Sequence, residues 1–155
     1  MSETAPSENI EEFDLKNFLP YLLNIAGEVT SRRFEESYKT EYGMSRTQWR
    51  VLFHLGRYGD MTARSICDRA RTHKTKVSRA VSGLETMRFL ERVKDLDDRR
   101  FETLSLTTRG YQAYNTLCGK AGEFDRELSA QFTSEENAIL RQCLRQIAEL
   151  PKDIE

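Results

Sequence analysis

Long apolar runs are missing from this chain of 155 residues. Nothing in it approaches the roughly 18 consecutive apolar residues that a membrane span needs. The opening segment, MSETAPSENIEEFD, is polar and acidic, without the basic stretch that begins a secretory signal. The expectation is a cytoplasmic protein. Cysteine is scarce: Cys67, Cys118 and Cys143 are odd in number and widely spaced, with no C-x-x-C and no Cys/His ligand spacing. That argues against a disulfide framework and a structural zinc site, and the three read as reduced, mostly buried thiols. There are only two histidines, His54 and His73. A glycine-rich phosphate loop, a G-x-S-x-G elbow and an H-E-x-x-H pair are all lacking, so an enzyme is the weakest reading, and no metal or cofactor is expected. Internal repeats and low-complexity segments are absent too.

What the chain does have is charge, unevenly placed. Hydrophobic residues make up 38% and charged residues 32%, a balance that fits a protein of long helices whose apolar surface is completed in part by a second subunit. The formal net charge of −1 hides a cationic middle. Residues 61–110 carry twelve Lys/Arg against seven Asp/Glu, whereas residues 1–60 carry seven against ten and residues 111–155 five against eight. A cationic segment between acidic flanks suits a surface that neutralises phosphates. A solvated helical face is the plain alternative, and charge alone does not separate the two.

Periodicity places the elements. Residues 1–9, rich in Ser, Glu, Thr and Pro, read as a disordered tail. From Glu11 to about Glu41, Phe13, Phe18, Leu22, Ile25, Val29, Phe34 and Tyr38 recur near helical spacing. Pro20 predicts a kink or restart near Leu19, and Gly43 a stop. Ser45-Arg-Thr-Gln48 has capping-box spacing, predicting a helix from Arg46 to about Arg57 ended by Gly59. Trp49, Leu52, Phe53 and Gly56 share one face of it, and Val51 and Leu55 widen the apolar surface, so it should be buried on more than one side. Thr62 caps a short helix, TARSICDRAR, that turns at Thr72.

The next helix, HKTKVSRAVSGLETMRFL, is the informative one. At about 100° per residue, Val77, Ala80, Val81, Leu84 and Arg88 fall on one side. Thr75, Ser78, Arg79, Ser82 and Thr86 fall on the other. A face kept only for solubility would carry Glu/Lys pairs; this one carries hydroxyls and a guanidinium, short enough for close approach to base edges in a major groove. Leu90–Lys94 and Glu102–Leu106 then alternate around an Asp-rich turn, the pattern of a hairpin. Arg99 and Arg100 lie at its tip, where an arginine suits the minor groove, and Asp98 is placed to pair with Arg100 and hold the tip in shape. Thr107 caps a helix to about Gln131, with Tyr111, Tyr114, Leu117, Cys118, Ala121, Phe124 and Leu128 near heptad spacing and Gly110, Gly119 and Gly122 as weak points. Thr133-Ser-Glu-Glu136 is a second capping box, opening a helix striped by Ile139, Leu140, Cys143, Leu144, Ile147 and Leu150 and ended by Pro151.

This order of elements resembles the MarR family of bacterial transcription regulators over about residues 15–150. The run Asp98-Arg-Arg-Phe-Glu-Thr-Leu-Ser-Leu-Thr-Thr-Arg-Gly110 is similar to the family's Asp-Arg-Arg tip, return strand and helix-opening glycine. Lys74-Thr-Lys-Val-Ser-Arg79, Leu84-Glu85 and Phe89-Leu-Glu-Arg92 resemble its recognition helix and wing entry. The resemblance implies a mainly α fold with a small β-hairpin: a winged helix-turn-helix over 44–110, flanked by dimerisation helices over 10–43 and 111–150. It implies a homodimer on a pseudo-palindromic double-stranded operator, with half-sites about 10 to 10.5 bp apart, acting as a repressor released by a small ligand or by oxidation. Residue by residue, Thr75, Lys76, Ser78 and Arg79 would face the major groove, Arg100 with Arg99 the minor groove, and Arg64 and Lys74 the phosphates.

For the effector, the family's aromatic and phenolic acids direct attention to Trp49, Arg50 and His54, where an aromatic floor and a cation can hold a carboxylate. Against this, a tryptophan at helical spacing reads as core and His54 as an ordinary half-buried histidine. His73 reads as a helix-start or phosphate contact. The redox alternative falls on Cys67, with Arg64, Arg69 and Arg71 close in sequence, against a buried structural thiol. A winged-helix module that binds protein instead of DNA is the remaining alternative; a recognition face and basic tip together speak against it.

Overall fold

Each α-helix after the first begins where a side chain satisfies its free N–H groups. In this computed structural model, which describes residues 13–150, Asp14 first caps a 3-10 turn at Leu15–Asn17, accepting from the Lys16 N–H at 2.9 Å. The expected tail over 1–9 and the stop at Pro151 lie outside the described residues. Helix α1 spans Leu19–Tyr42. Pro20 sits in its first turn, where a missing N–H costs nothing, so the proline marks a start and not a kink. Gly43, at φ 66°, closes α1 by donating its N–H to the Lys39 carbonyl at 2.8 Å. The chain falls into two compact units that divide within α1, between Glu36 and Ser37.

Helix α2, Arg46–Tyr58, opens with the full capping box: Ser45 N–H donates to Gln48 Oε1 at 2.8 Å and Gln48 N–H to Ser45 Oγ at 3.2 Å. Thr62 caps α3, Ala63–Ala70, and His73 caps α4, Lys74–Thr86, its ring nitrogen accepting from the Thr75 N–H at 3.3 Å. Strands β1, Leu90–Lys94, and β2, Glu102–Leu106, pair antiparallel from Leu90↔Leu106 to Lys94↔Glu102. Met61 bonds the other side of β2 through Leu104, at 3.2 and 2.9 Å. Thr107 caps α5, Thr108–Ser129, and the Thr133/Glu136 box opens α6, Ser134–Ile147. Among the described residues no helix is long and apolar enough to cross a membrane.

Val51, Leu52 and Leu55 of α2, Ile66 of α3, Val77, Ala80, Val81 and Leu84 of α4, and Leu104 and Leu106 of β2 are buried together with Ala113 and Leu117 of α5. This core positions α4 and the hairpin. Arg88 does not join the inward face of α4 as expected. The helix stops at Thr86, and Arg88 turns left-handed at φ 61° in a Schellman closure: its N–H reaches the Glu85 carbonyl at 2.9 Å, and that of Phe89 reaches Leu84 at 2.9 Å. Arg88 is thereby exposed, and Phe89, 2% exposed, takes the buried place.

Gly110 is a point of close approach, not a weak point. A Cβ there would collide with the Phe89 carbonyl oxygen. The inward face of α5 is accordingly Gly110, Ala113 and Leu117, while Tyr111 stays exposed. The expected burial of the thiols is also corrected: Cys67 and Cys118 are half-buried and Cys143 is exposed, because α6 buries no residue in this chain. Leu19, Leu22, Ile25 and Val29 of α1 and Ile139, Leu140, Leu144 and Ile147 of α6 are between 41% and 55% exposed.

Candidate nucleic-acid interface

The amphipathic split of α4 sorts its side chains cleanly. Val77, Ala80, Val81 and Leu84 are buried, while Thr75, Lys76, Ser78, Arg79, Ser82 and Thr86 are exposed, as is Lys74 in the first turn. Arg64 is exposed on α3. Beside this face an open cleft of about 330 Å³ is lined by Ser45, Thr47 and Gln48 at the start of α2 and by Lys76, Arg79 and Ala80 of α4. The Gln48 side-chain amide lies directly over Gly83, in the space that a Cβ there would occupy.

At the far end of the hairpin the acidic turn folds on itself. Asp95 Oδ1 accepts from the N–H groups of Asp97 and Asp98 at 2.8 and 3.3 Å. Asp98 Oδ1 accepts from the Arg100 N–H at 3.0 Å and lies 3.5 Å from the Arg100 Nε. These bonds fix the backbone of the tip while the Arg100 side chain remains 92% exposed, with Arg99 exposed next to it. Cation and tight turn are thus separate: the aspartates shape the loop, and the arginines project from it.

The partners of Arg92 were not evident from the sequence. Arg92 of β1 donates to Glu85 of α4 at 2.9 Å, to Glu102 of β2 at 3.0 Å and to Ser82 of α4 at 3.3 Å. Its hydrogen bonds to Glu85 and then Glu102 raise its already high pKa further. Alternation along β1 was a partial signal, because Arg92 and Lys94 share a face and Glu102 stands opposite Lys94. Glu85, on a different element, left no local signal.

The candidate effector residues divide. Trp49 stacks on Tyr38, with ring centroids 5.7 Å apart, and meets Phe53 edge-on at 4.9 Å; Phe53 in turn meets Tyr114 at 5.3 Å. Arg50 is exposed, and His54 Nδ1 bonds the Arg50 carbonyl at 2.7 Å, one helical turn away. Two of the arginines close to Cys67 in sequence are directed elsewhere: Arg69 lies over the Tyr58 ring at 4.5 Å, and Arg71 donates to the Glu149 carbonyl at 3.4 Å.

A model of the MarR family matches residues 42–100, from the end of α1 through α2, α3, α4 and β1 to the hairpin tip. An uncharacterised HTH-type transcriptional regulator of Bacillus subtilis, YwaE, is 28% identical over 117 residues, covering 76% of this chain and 68% of its own. Over that stretch the chain is similar to the MarR family. Another relative is the homoprotocatechuate degradative operon repressor of Escherichia coli, 26% identical over 109 residues, or 70% of this chain and 74% of that protein. A MarR/EmrR family transcriptional regulator from Acinetobacter sp. ADP1 has the same fold, with a TM-score of 0.80 at 23% identity over 88% of this chain and 96% of its own. The hydroxyl-and-guanidinium face and the arginine-tipped hairpin therefore lie in the stretch that is similar to MarR-family transcriptional regulators, on a winged-helix fold.

Proposed function

We propose that this regulator is a cytoplasmic homodimer that represses transcription from a pseudo-palindromic double-stranded operator and lets go when a small ligand binds. The observation that carries the reading is the pairing of two exposed features on one rigid core. One is the α4 face of Thr75, Lys76, Ser78 and Arg79; the other is a tip whose Arg100 is held by Asp98 at the backbone while its side chain stays 92% exposed. The first suits base edges in a major groove, the second a narrow minor groove. Lys74 and Arg64 take phosphates, Arg99 supports Arg100, and the cleft beside Lys76 and Arg79 gives a phosphate room next to α2. The unpartnered apolar stripes of α1 and α6 favour a second copy, and the naming of the Escherichia coli relative as an operon repressor favours repression.

The test is titration of the purified chain against a random duplex and against duplexes it selects from a random pool, over a range of salt. Neutralised phosphates give a steep negative log-log slope. Arg100→Ala should weaken binding and flatten that slope by about one unit. Ser78→Ala and Arg79→Ala should relax sequence preference, losing about 1 to 3 kcal/mol per base contact. A chain that selects no duplex and binds duplex DNA without salt dependence is a protein-interaction module instead.

For the effector we place an aromatic carboxylate at Arg50 and His54, which share a face and a helical turn, with Trp49 and its aromatic stack fixing the helix that carries them. Thermal shift against aromatic acids reads this directly, since a ligand of the folded state raises apparent stability. Arg50→Ala and His54→Ala should abolish the shift. A Cys67→Ser protein that still responds to the inducer removes the oxidation alternative.

A further inference from the structure

Between the recognition helix and the wing lies a charged cluster that the DNA contacts assigned above leave unused. Arg92 spreads its guanidinium over three partners: Nε donates to Glu85, Nη1 to Glu102 and Nη2 to the Ser82 hydroxyl, at 2.9, 3.0 and 3.3 Å. Ser82 and Glu85 lie on the last turns of α4, and Glu102 opens β2. One planar fork therefore joins the helix to both strands, which a lysine, as a point charge, cannot do with the same directionality. The carboxylates outnumber the cation in this cluster, and all three groups are only partly exposed, at 31%, 44% and 32% for Arg92, Glu85 and Glu102.

Leverage makes the cluster matter. A five-residue strand spans about 17 Å, so a rotation of about 10° at the wing root moves the tip by about 3 Å. The minor groove is about 6 Å wide, and half its width is enough to take an arginine out of register while α4 stays in place. The same guanidinium also offsets two carboxylates beside the face that would otherwise repel an incoming phosphate.

We propose that Arg92 is a positioning residue for DNA binding: it fixes the spacing between the groove-reading face of α4 and the arginine tip of the wing, and it keeps Glu85 and Glu102 paired while the duplex is bound. The inference rests on the DNA-binding reading above and deepens it.

The test uses the full chain, with duplexes that the unaltered protein selects from a random pool. Arg92→Gln should lose about ten-fold or more on the selected duplex and less on random duplex, with its thermal midpoint close to that of the unaltered protein. Arg92→Lys should fall between. The triple variant Arg92→Gln, Glu85→Gln, Glu102→Gln has no carboxylate left to pair and should recover part of the loss. An Arg92→Gln protein that binds the selected duplex as tightly as the unaltered chain overturns the inference alone. So does an Arg92→Gln protein that loses as much on random duplex as on the selected one, since Arg92 is then an ordinary phosphate contact. If the unaltered protein enriches no duplex at all, the DNA-binding reading falls and takes this inference with it.

Discussion

At the scale of single residues, Gly110 shows how far a local reading can mislead. Judged by helix propensity it weakens α5; in the fold, its missing side chain lets the start of α5 press against the Phe89 carbonyl. The partner is 21 residues away in sequence, so no window of helical periodicity contains the reason. Gly110→Ala should therefore destabilise the protein by about 1 to 3 kcal/mol, the cost of overpacking, instead of gaining the usual helix increment; chemical denaturation measures it. Tyr114 carries a pH signature. Burial, followed by the hydrogen bond its phenol donates to Cys118, raises its pKa above the ordinary phenol value of 10.0. The folded state then favours the neutral phenol. Its contribution to stability is complete below that ordinary value and is lost as the pH climbs through the raised one. Thermal midpoints of Tyr114→Phe should decline less across that alkaline window than those of the parent.

The elements were legible wherever the determinant was local. Capping boxes at Ser45/Gln48 and Thr133/Glu136 are four-residue patterns, and both form as read. The limits of β1 and β2 follow from alternation around an Asp-rich turn, and they fall where that pattern puts them. What was not legible depends on closure in three dimensions. Arg88 keeps helical phase with Val77, yet the Schellman turn takes it out of the helix; the link from Arg92 to Glu85 crosses between elements. Thr107 combines both kinds of determinant. Its hydroxyl accepts from the Gly110 N–H at 3.0 Å, a local cap, and donates to the Arg88 carbonyl at 2.7 Å, across the turn that enters β1. Thr107→Ala should cost about 1 to 2 kcal/mol, at the upper end for a cap, measured by the denaturation midpoint. Asp98→Ala should leave that midpoint nearly unchanged and weaken affinity for the selected duplex, because only the tip loses its internal bonds.

For the molecule as a whole, the exposed stripes of α1 and α6 predict self-association. Sedimentation should find a concentration-dependent dimer. Leu144→Glu, which puts a charge into the α6 stripe, should shift the equilibrium to the monomer; the loss should be steep on a duplex with two half-sites and slight on one with a single half-site, since linked sites act through effective concentration. The winged-helix fold and the exposed polar face of α4 were readable because both follow from amphipathic patterns within one chain. The surroundings of the candidate effector residues were less so: Trp49 and His54 sit on one helix, but the aromatic stack that takes up Trp49 is assembled from α1, α2 and α5. The two-sided bonding of β2, by β1 and by Met61, has a further consequence. It leaves the outer edge of β1 as the open border of the ribbon, and there Glu91, Val93 and Lys94 are all exposed. Charges along such a border discourage the strands of other molecules from zipping onto it, so a projecting hairpin can serve as a probe without also being a seed for aggregation.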